Sequence, residues 1–322
     1  MDPLYFGIDV AKHKLDLATA SKHLGVFENN NQGHRQLIQK INTLAAEAGL
    51  TPTAVLEASG GYERNPLKAL LDAGVHAALV QPGCVRNFAK AGKIHAKNDA
   101  ADAKGIARFA EVMKPRLAMK VPPAEEKLRS LQDRREQVIG DRVRESNREK
   151  QCPDASIRRR ITASIKRLRK EEAKLDDQID RIIREDELLA AKADRIQEVK
   201  GVGPRTAAVL LAHMPELGKL NRRQVAALAG LAPYDRDSGR AKGARSVFAG
   251  RGKVRKLLYM CAVSCSRHNP VLRPMYQRLL AAGKKPMVAL VALARKLLTY
   301  LNSQVARLLD TERCLGAEGR YC

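Results

Sequence analysis

Tryptophan is missing from this 322-residue chain, and phenylalanine and tyrosine bring the aromatic share to only 4%. Acid is in short supply as well: 35 Asp and Glu stand against 59 Lys and Arg, a formal charge of +24. No apolar run approaches the roughly 20 residues of a membrane span. The N-terminus lacks the basic-then-apolar pattern of a signal peptide, so a cytoplasmic location is expected. Cys84, Cys152, Cys261, Cys265, Cys314 and Cys322 are too scattered along a long chain to read as a disulfide framework. Cys261 and Cys265 would share a helix face, but no His/Cys pair at zinc spacing follows. They read as buried thiols, and no zinc site is assigned.

What is present is apolar enough to fold. A hydrophobic content of 44% excludes a disordered basic tail, which would bury too little to offset chain entropy. The length predicts about two domains of roughly 150 residues each. The excess of cations argues against a metabolic enzyme for small neutral substrates and for a polyanionic partner, with nucleic acid ahead of an anionic membrane. The charge is uneven: +5 over residues 1–122, +4 over 123–185 and +15 over 186–322.

The first segment alternates strands and helices. Residues 4–10 form a short apolar run, 14–19 alternate at period two, and 25–27 read as a third strand, together a meander. A helix over 35–48, a strand over 54–57, a helix around 66–73 and a strand over 77–80 complete the order βββαβαβ. In the next segment Ile161, Ile165, Leu168, Leu175, Ile179, Ile182 and Leu189 fall on steps of four and three, with Glu172 and Asp186 in the skipped seam positions. Leu128, Leu131 and Val138 repeat this more weakly, and Cys152-Pro153 separates the two runs, which predicts an antiparallel helical hairpin or coiled coil. Its nearly balanced charges read as a solvated surface. From residue 194 the chain is mostly helical, interrupted over 235–256 by a basic, glycine-containing stretch.

Acids stand at telling places. Asp9 ends the first strand, Glu57 ends the fourth, and Asp99 and Asp102 are three apart at the start of a helical run. If the fourth strand pairs beside the first, and that helix crosses them, the four carboxylates form one cluster. Taken singly, an Asp at a strand end is more often a turn former or helix cap than a metal ligand, and Asp99 reads also as the N-cap of its helix. Together they repel one another, a condition that hard divalent cations relieve, so Mg²⁺ is the expected cofactor. Two such ions would suit phosphodiester chemistry.

Two further motifs lie downstream. Lys200-Gly201-Val202-Gly203-Pro204-Arg205 resembles the hairpin of a helix-hairpin-helix element, whose glycines let backbone amides approach a phosphate; the plain alternative is a helix–helix turn. Residues 236–256 carry Arg236, Arg240, Lys242, Arg245, Arg251, Lys253, Arg255 and Lys256 against Asp237 alone, a density that suits phosphate contact. A serine there is either a turn residue or a nucleophile whose attacked phosphate is clamped by arginines. Residue chemistry alone does not choose among Ser238, Ser246 and Tyr234.

Phe6-Gly7-Ile8-Asp9-Val10-Ala11-Lys12, Leu56-Glu57-Ala58-Ser59-Gly60-Gly61-Tyr62 and Lys97-Asn98-Asp99-Ala100-Ala101-Asp102-Ala103 resemble the RuvC-like domain of the one-ten family of insertion-sequence transposases. Val199 to Ala232, Gly230-Leu231-Ala232-Pro233, Ser238-Gly239 and the basic stretch to Tyr259 are similar to that family's C-terminal transposase domain. The resemblance implies an RNase H-like α/β metal-binding domain over 1–122, a helical linker over 123–190 and a mostly α transposase domain over 191–322. It implies Asp9, Glu57, Asp99 and Asp102 as metal-binding carboxylates, and Ser238 as a nucleophile that forms a phosphoserine link. The composite site would be completed between protomers, in dimers and tetramers on target and donor DNA. A structured bridge RNA would guide the choice of sequence, in a prokaryotic cell and on its nucleoid. An interface that leaves sequence choice to base pairing fits a chain rich in Lys and Arg and poor in stacking aromatics. Two rival readings remain: a junction-resolving nuclease using the same carboxylates with water, and a non-catalytic nucleic-acid-binding protein.

Overall fold

A computed structural model describes residues 2–92, 99–234 and 246–318, with the side chains of residues 99, 100 and 312–318 left aside. The chain divides into two compact units, Met1–Lys120 and Val121–Cys322.

The first unit is a mixed sheet with helices on both faces. Strands β1 (Pro3–Val10), β2 (Lys14–Ala18) and β3 (His23–Glu28) form the antiparallel meander. Helix α1 (Asn31–Ala48), β4 (Thr51–Glu57), α2 (Arg64–Asp72), β5 (His76–Val80), α3 (Pro82–Ala91) and α4 (Asp99–Met113) follow. The sheet order is β3-β2-β1-β4-β5, with β4 parallel to both β1 and β5. Period-two alternation sorts the side chains. Phe6, Ile8 and Val10 of β1 join Leu56 and Ala77 against Leu37, Ile41 and Leu70 of α1 and α2. Val55, Ala78 and Val80 point to the other face, against Val85 of α3 and Ile106, Phe109 and Ala110 of α4. Strand β4 is buried on both faces, hence its unbroken apolar centre Ala54-Val55-Leu56. Asn30 caps α1 by accepting from the amides of Gln32 (3.0 Å) and Gly33 (2.9 Å), and Gly49 ends it in the left-handed region at φ 65°.

In the second unit, α5 (Pro123–Gln151) and α6 (Ala155–Glu185) form the expected hairpin around Cys152-Pro153-Asp154. Asp154 starts α6 by accepting from the amides of Ser156 (2.7 Å) and Ile157 (2.9 Å). Helices α7 (Glu187–Gln197), α8 (Pro204–His213) and α9 (Arg222–Leu228) come next. A two-residue ladder of β6 (Pro233–Tyr234) and β7 (Ser246–Val247) follows, then α10 (Gly252–His268), α11 (Leu272–Ala281) and α12 (Pro286–Glu318). One core joins Leu128, Ile179 and Ile182 of the hairpin to Leu210, Leu258, Leu297 and Leu301. Ile165, Leu175, Ile179 and Ile182 are buried along α6, but the seam stops there. Asp186 is not a seam residue: it caps α7 through the Leu189 amide at 2.9 Å, because α6 ends one residue earlier. Glu172 does occupy a seam position, bonded to Arg142 at 2.9 Å and near Arg135 at 3.6 Å. Cys84, Cys152, Cys261 and Cys265 are free thiols, and burial raises Cys265 to about 11. Among the described residues, no helix is long and apolar enough to cross a membrane.

The packing of α4 on β1 rests on Gly7. A Cβ placed there would lie 2.1 Å from the carbonyl oxygen of Ala103 and 2.5 Å from the amide nitrogen of Ala107, both backbone atoms that cannot turn aside. Gly7→Ala should therefore lift α4 from the sheet and lower stability by about 3 kcal/mol, the upper range for overpacking. Urea unfolding measures it, and an unchanged midpoint would refute the close contact.

Candidate active site and basic surface

The parallel register of β1 with β4 pairs Gly7 with Val55 and Ile8 with Leu56. One residue further, at the carboxyl ends of both strands, Asp9 and Glu57 stand side by side, on the sheet face that carries Gly7 and Val55. This is the face α4 covers. Helix α4 buries Ala103, Ile106, Ala107 and Ala110 against the sheet and leaves Asp102 exposed at the contact's edge. The carboxyl of Glu57 is held above its ordinary value of 4.5 by burial first, then by the charge of Asp9, with Asp102 adding to the effect and Arg86 opposing it. Asp9, Glu57 and Asp102 therefore share one field. Asp99 begins α4 three residues before Asp102, but its side chain lies outside the described residues. Among the described residues, no group of three His, Cys, Asp or Glu side chains is placed to hold a metal ion.

Three neighbours of this site escaped the sequence reading. Asp16 lies directly opposite Asp9 across the β1–β2 ladder, only 4% exposed, 3.2 Å from His23 Nε2 and 3.5 Å from Lys14 Nζ. An acid in a period-two strand was the available signal, but its facing Asp9 depends on register. Glu63, 7% exposed, accepts from the Ser59 amide (3.0 Å), the Ser59 hydroxyl (3.1 Å) and the Gly61 amide (2.8 Å). Burial opposes its charge, yet these bonds and one from its own amide outweigh burial and hold the carboxyl below its ordinary range. Glu63 thereby ties down the chain that leaves β4 just after Glu57, where Gly60 and Gly61 take φ of 77° and 121°. Arg86 on α3 is the third, the cation that the Glu57 carboxyl feels.

The predicted phosphate contacts divide into several groups. Arg236, Ser238, Arg240, Lys242 and Arg245 lie outside the described residues. Arg205 is bound to Asp176 at 3.0 Å and Asp180 at 2.8 Å on α6. Arg251 grips Glu216 with two bonds of 2.6 Å and donates to the His213 carbonyl at 2.7 Å. Lys253 lies 2.8 Å from Asp133 and 2.5 Å from Glu136. Arg255 donates to the Ala249 carbonyl at 2.8 Å. These side chains brace helices together. Lys200 and Lys256 are exposed. Gly203 starts α8 as its cap, and Gly201 turns at φ 101°, with Cys265 Sγ only 2.7 Å from where its Cβ would stand. The Lys200 carbonyl accepts from Asn269 Nδ2 at 2.8 Å, so this turn is pinned to the end of α10.

Comparison with known proteins matches two stretches of the chain. Residues 6–154 match a family model of the DEDD, IS110 type described as transposase. Residues 193–277 match a second, described as the transposase IS116/IS110/IS902 family. The chain belongs to the IS110 family of transposases. It is accordingly an enzyme that cleaves and rejoins DNA. Similar proteins include the pilin gene-inverting proteins of Moraxella bovis and Moraxella lacunata. Each is 26% identical over 306 residues, which cover 93% of this chain and 94% of the relative. An uncharacterized 43.6 kDa protein of insertion element IS110 from Streptomyces coelicolor is 32% identical over 108 residues, 33% of this chain and 27% of that protein.

Two outcomes follow for the transposase. Because the Glu57 carboxyl is raised in the folded state, its contribution to stability is full below 4.5 and is lost as pH rises through the raised value. Glu57→Gln should raise the melting temperature in EDTA by a few degrees at pH 7 and change it little at pH 4; an equal shift at both would exclude charge repulsion. Arg251→Ala should lower stability by about 2 kcal/mol, because the half-buried Glu216 carboxylate loses the two charge-assisted bonds of 2.6 Å that Arg251 gives it. Denaturant unfolding reads this loss, and a variant of unchanged stability with a weaker salt dependence of DNA binding would return Arg251 to the phosphate-contacting set.

Proposed function

We propose that this transposase cuts and exchanges DNA strands through a phosphoserine intermediate at Ser238, assisted by a carboxylate site of Asp9, Glu57, Asp99 and Asp102. The observation that carries the reading is the shared field of Asp9, Glu57 and Asp102 where two parallel strands end under α4. The order β3-β2-β1-β4-β5 supports an RNase H-like, RuvC-like identity for 1–122. The helical hairpin of 123–190 then acts as linker, and 191–322 as the transposase domain.

The donor set fits a hard divalent ion: all four groups are carboxylates, and the charges of Asp9 and Asp102 add to burial in raising the Glu57 carboxyl, a repulsion that a cation would relieve. When bound by these acids, Mg²⁺ would neutralise their repulsion and offset negative charge on the phosphate. The remaining chemistry belongs to the chain. The Ser238 hydroxyl oxygen attacks the scissile phosphorus, the bond to the 3′ oxygen breaks, and that oxygen leaves as a hydroxyl carrying the proton the serine gives up. Attack by the 3′ hydroxyl of another strand reverses these steps, joins the new phosphodiester and restores the serine. Target and donor DNA are the substrates. A structured bridge RNA supplies sequence choice, and dimers and tetramers, acting at the nucleoid, hold the two duplexes.

Ser238→Ala should retain DNA binding and abolish covalent protein–DNA adducts, scored by denaturing gel. Asp9→Asn, Glu57→Gln and Asp102→Asn should each slow cleavage by about 10²–10³-fold, as loss of one charge-stabilising group does elsewhere. Adducts persisting in Ser238→Ala would overturn the nucleophile. Free 5′ phosphate without any adduct would favour the junction-resolving nuclease.

A further inference from the structure

The second unit contains a groove of about 1240 Å³ between the start of α9, the β6–β7 ladder and the α11–α12 connection. Arg222, Arg223, Lys284, Lys285, Arg295 and Lys296 line it, and among the described residues no Asp or Glu does. Among the described residues, none of the six enters an ion pair, in contrast to Arg205, Arg251 and Lys253. Its floor is apolar, built from Leu231, Met275 and Val291 among others. Next in the chain to the lining residues Pro233 and Val247, the rings of Tyr234 at the end of β6 and Phe248 just past β7 meet at 4.7 Å with a tilt of 46°. They remain 39% and 47% exposed. In a chain with so few aromatic residues, an open ring pair beside unneutralised cations is a specific arrangement.

We propose that this groove holds single-stranded DNA, with the six cations on successive phosphates and the Tyr234–Phe248 pair stacking a base. A duplex offers a protein mainly its convex backbone, which would leave the apolar floor and the rings idle, whereas an unpaired strand uses all three features. RNA would bring 2′ hydroxyls that need partners, and among the described residues the lining offers them only the side-chain hydroxyls of Ser246 and Thr299. The choice of DNA also rests on the proposed role of Ser238, because β6 and β7 are the strands that bracket residues 235–245. The groove would then receive the strand opened at cleavage.

The test uses the full chain in EDTA, a fluorescein-labelled 20-nucleotide DNA strand, the RNA of the same sequence and the corresponding duplex, with binding read by anisotropy across a KCl series. Lys284→Gln with Lys285→Gln should weaken single-stranded DNA about tenfold. It should also reduce the slope of log affinity against log salt by about 1.4, two phosphates' worth. Tyr234→Ala with Phe248→Ala should weaken the strand about tenfold at unchanged slope and leave the duplex within about twofold. In the unaltered protein, iododeoxyuridine-substituted strand should cross-link to the peptides holding Tyr234 or Phe248. Unchanged single-strand affinity in both variants, with no such cross-link, overturns the proposal. A larger loss for RNA than for DNA overturns it in favour of RNA, and an equal loss for the duplex in the ring variant overturns the single-strand assignment. No cleavage is scored, so these results stand apart from the adduct test on Ser238.

Discussion

The contact between α4 and β1 at Gly7 is the constraint on which the first unit's chemistry depends. A helix backbone can touch a strand backbone only where no Cβ intervenes. Once it does, the acid at the helix's open edge is carried to the acids at the strand ends. The sheet supplies Asp9 and Glu57 through a register fixed by buried residues on both faces; the helix supplies Asp102 through one glycine. The electrostatic strain on Glu57 is the signature of that assembly. It is a place where fold stability is given up so that charges of one sign can converge.

Much of this was legible before any coordinates. The strands declared themselves by period-two alternation or short apolar runs, whereas the pairing of β1 with β4 stood only as a condition until its parallel register was seen. The carboxylates were legible because each closes an apolar run or opens a helical one. What was hidden depends on tertiary partners. Asp16 faces Asp9 only through the β1–β2 register, and Glu63 reaches back to Ser59 and Gly61 across a turn that no periodicity describes. Arg251 reads as a phosphate ligand in sequence because Glu216, its partner, is 35 residues away. Asp186 fits the heptad spacing yet caps a new helix, since spacing alone does not mark where a helix stops. The ladder of β6 and β7 has two residues per strand, too few to show any period.

The basic residues of the second unit thus serve two purposes that composition does not separate. Arg205, Arg251 and Lys253 brace helices against carboxylates, as Arg135 and Arg142 do within the hairpin. The cations around the groove have no such partners among the described residues. A dense run of Lys and Arg is therefore a weaker indicator of a binding surface than a sparser set that the fold leaves without acids.

The paired charges of the α5–α6 hairpin also bear on kinetics. At physiological ionic strength a charge is felt over only about 8 Å, so a cation held against its own carboxylate contributes little to the potential an approaching polyanion senses. Arg134, Arg135 and Arg142 of the hairpin are dark in that field. Exposed cations that have no carboxylate partner among the described residues, Arg158, Arg159 and Arg160 at the start of α6 among them, are not. Encounter with DNA is then directional rather than diffuse: a strand that collides with a face of paired charges finds little to retain it, while one that reaches unneutralised cations is kept long enough to search. The ion pairs that stiffen the hairpin also keep those faces from competing for the substrate.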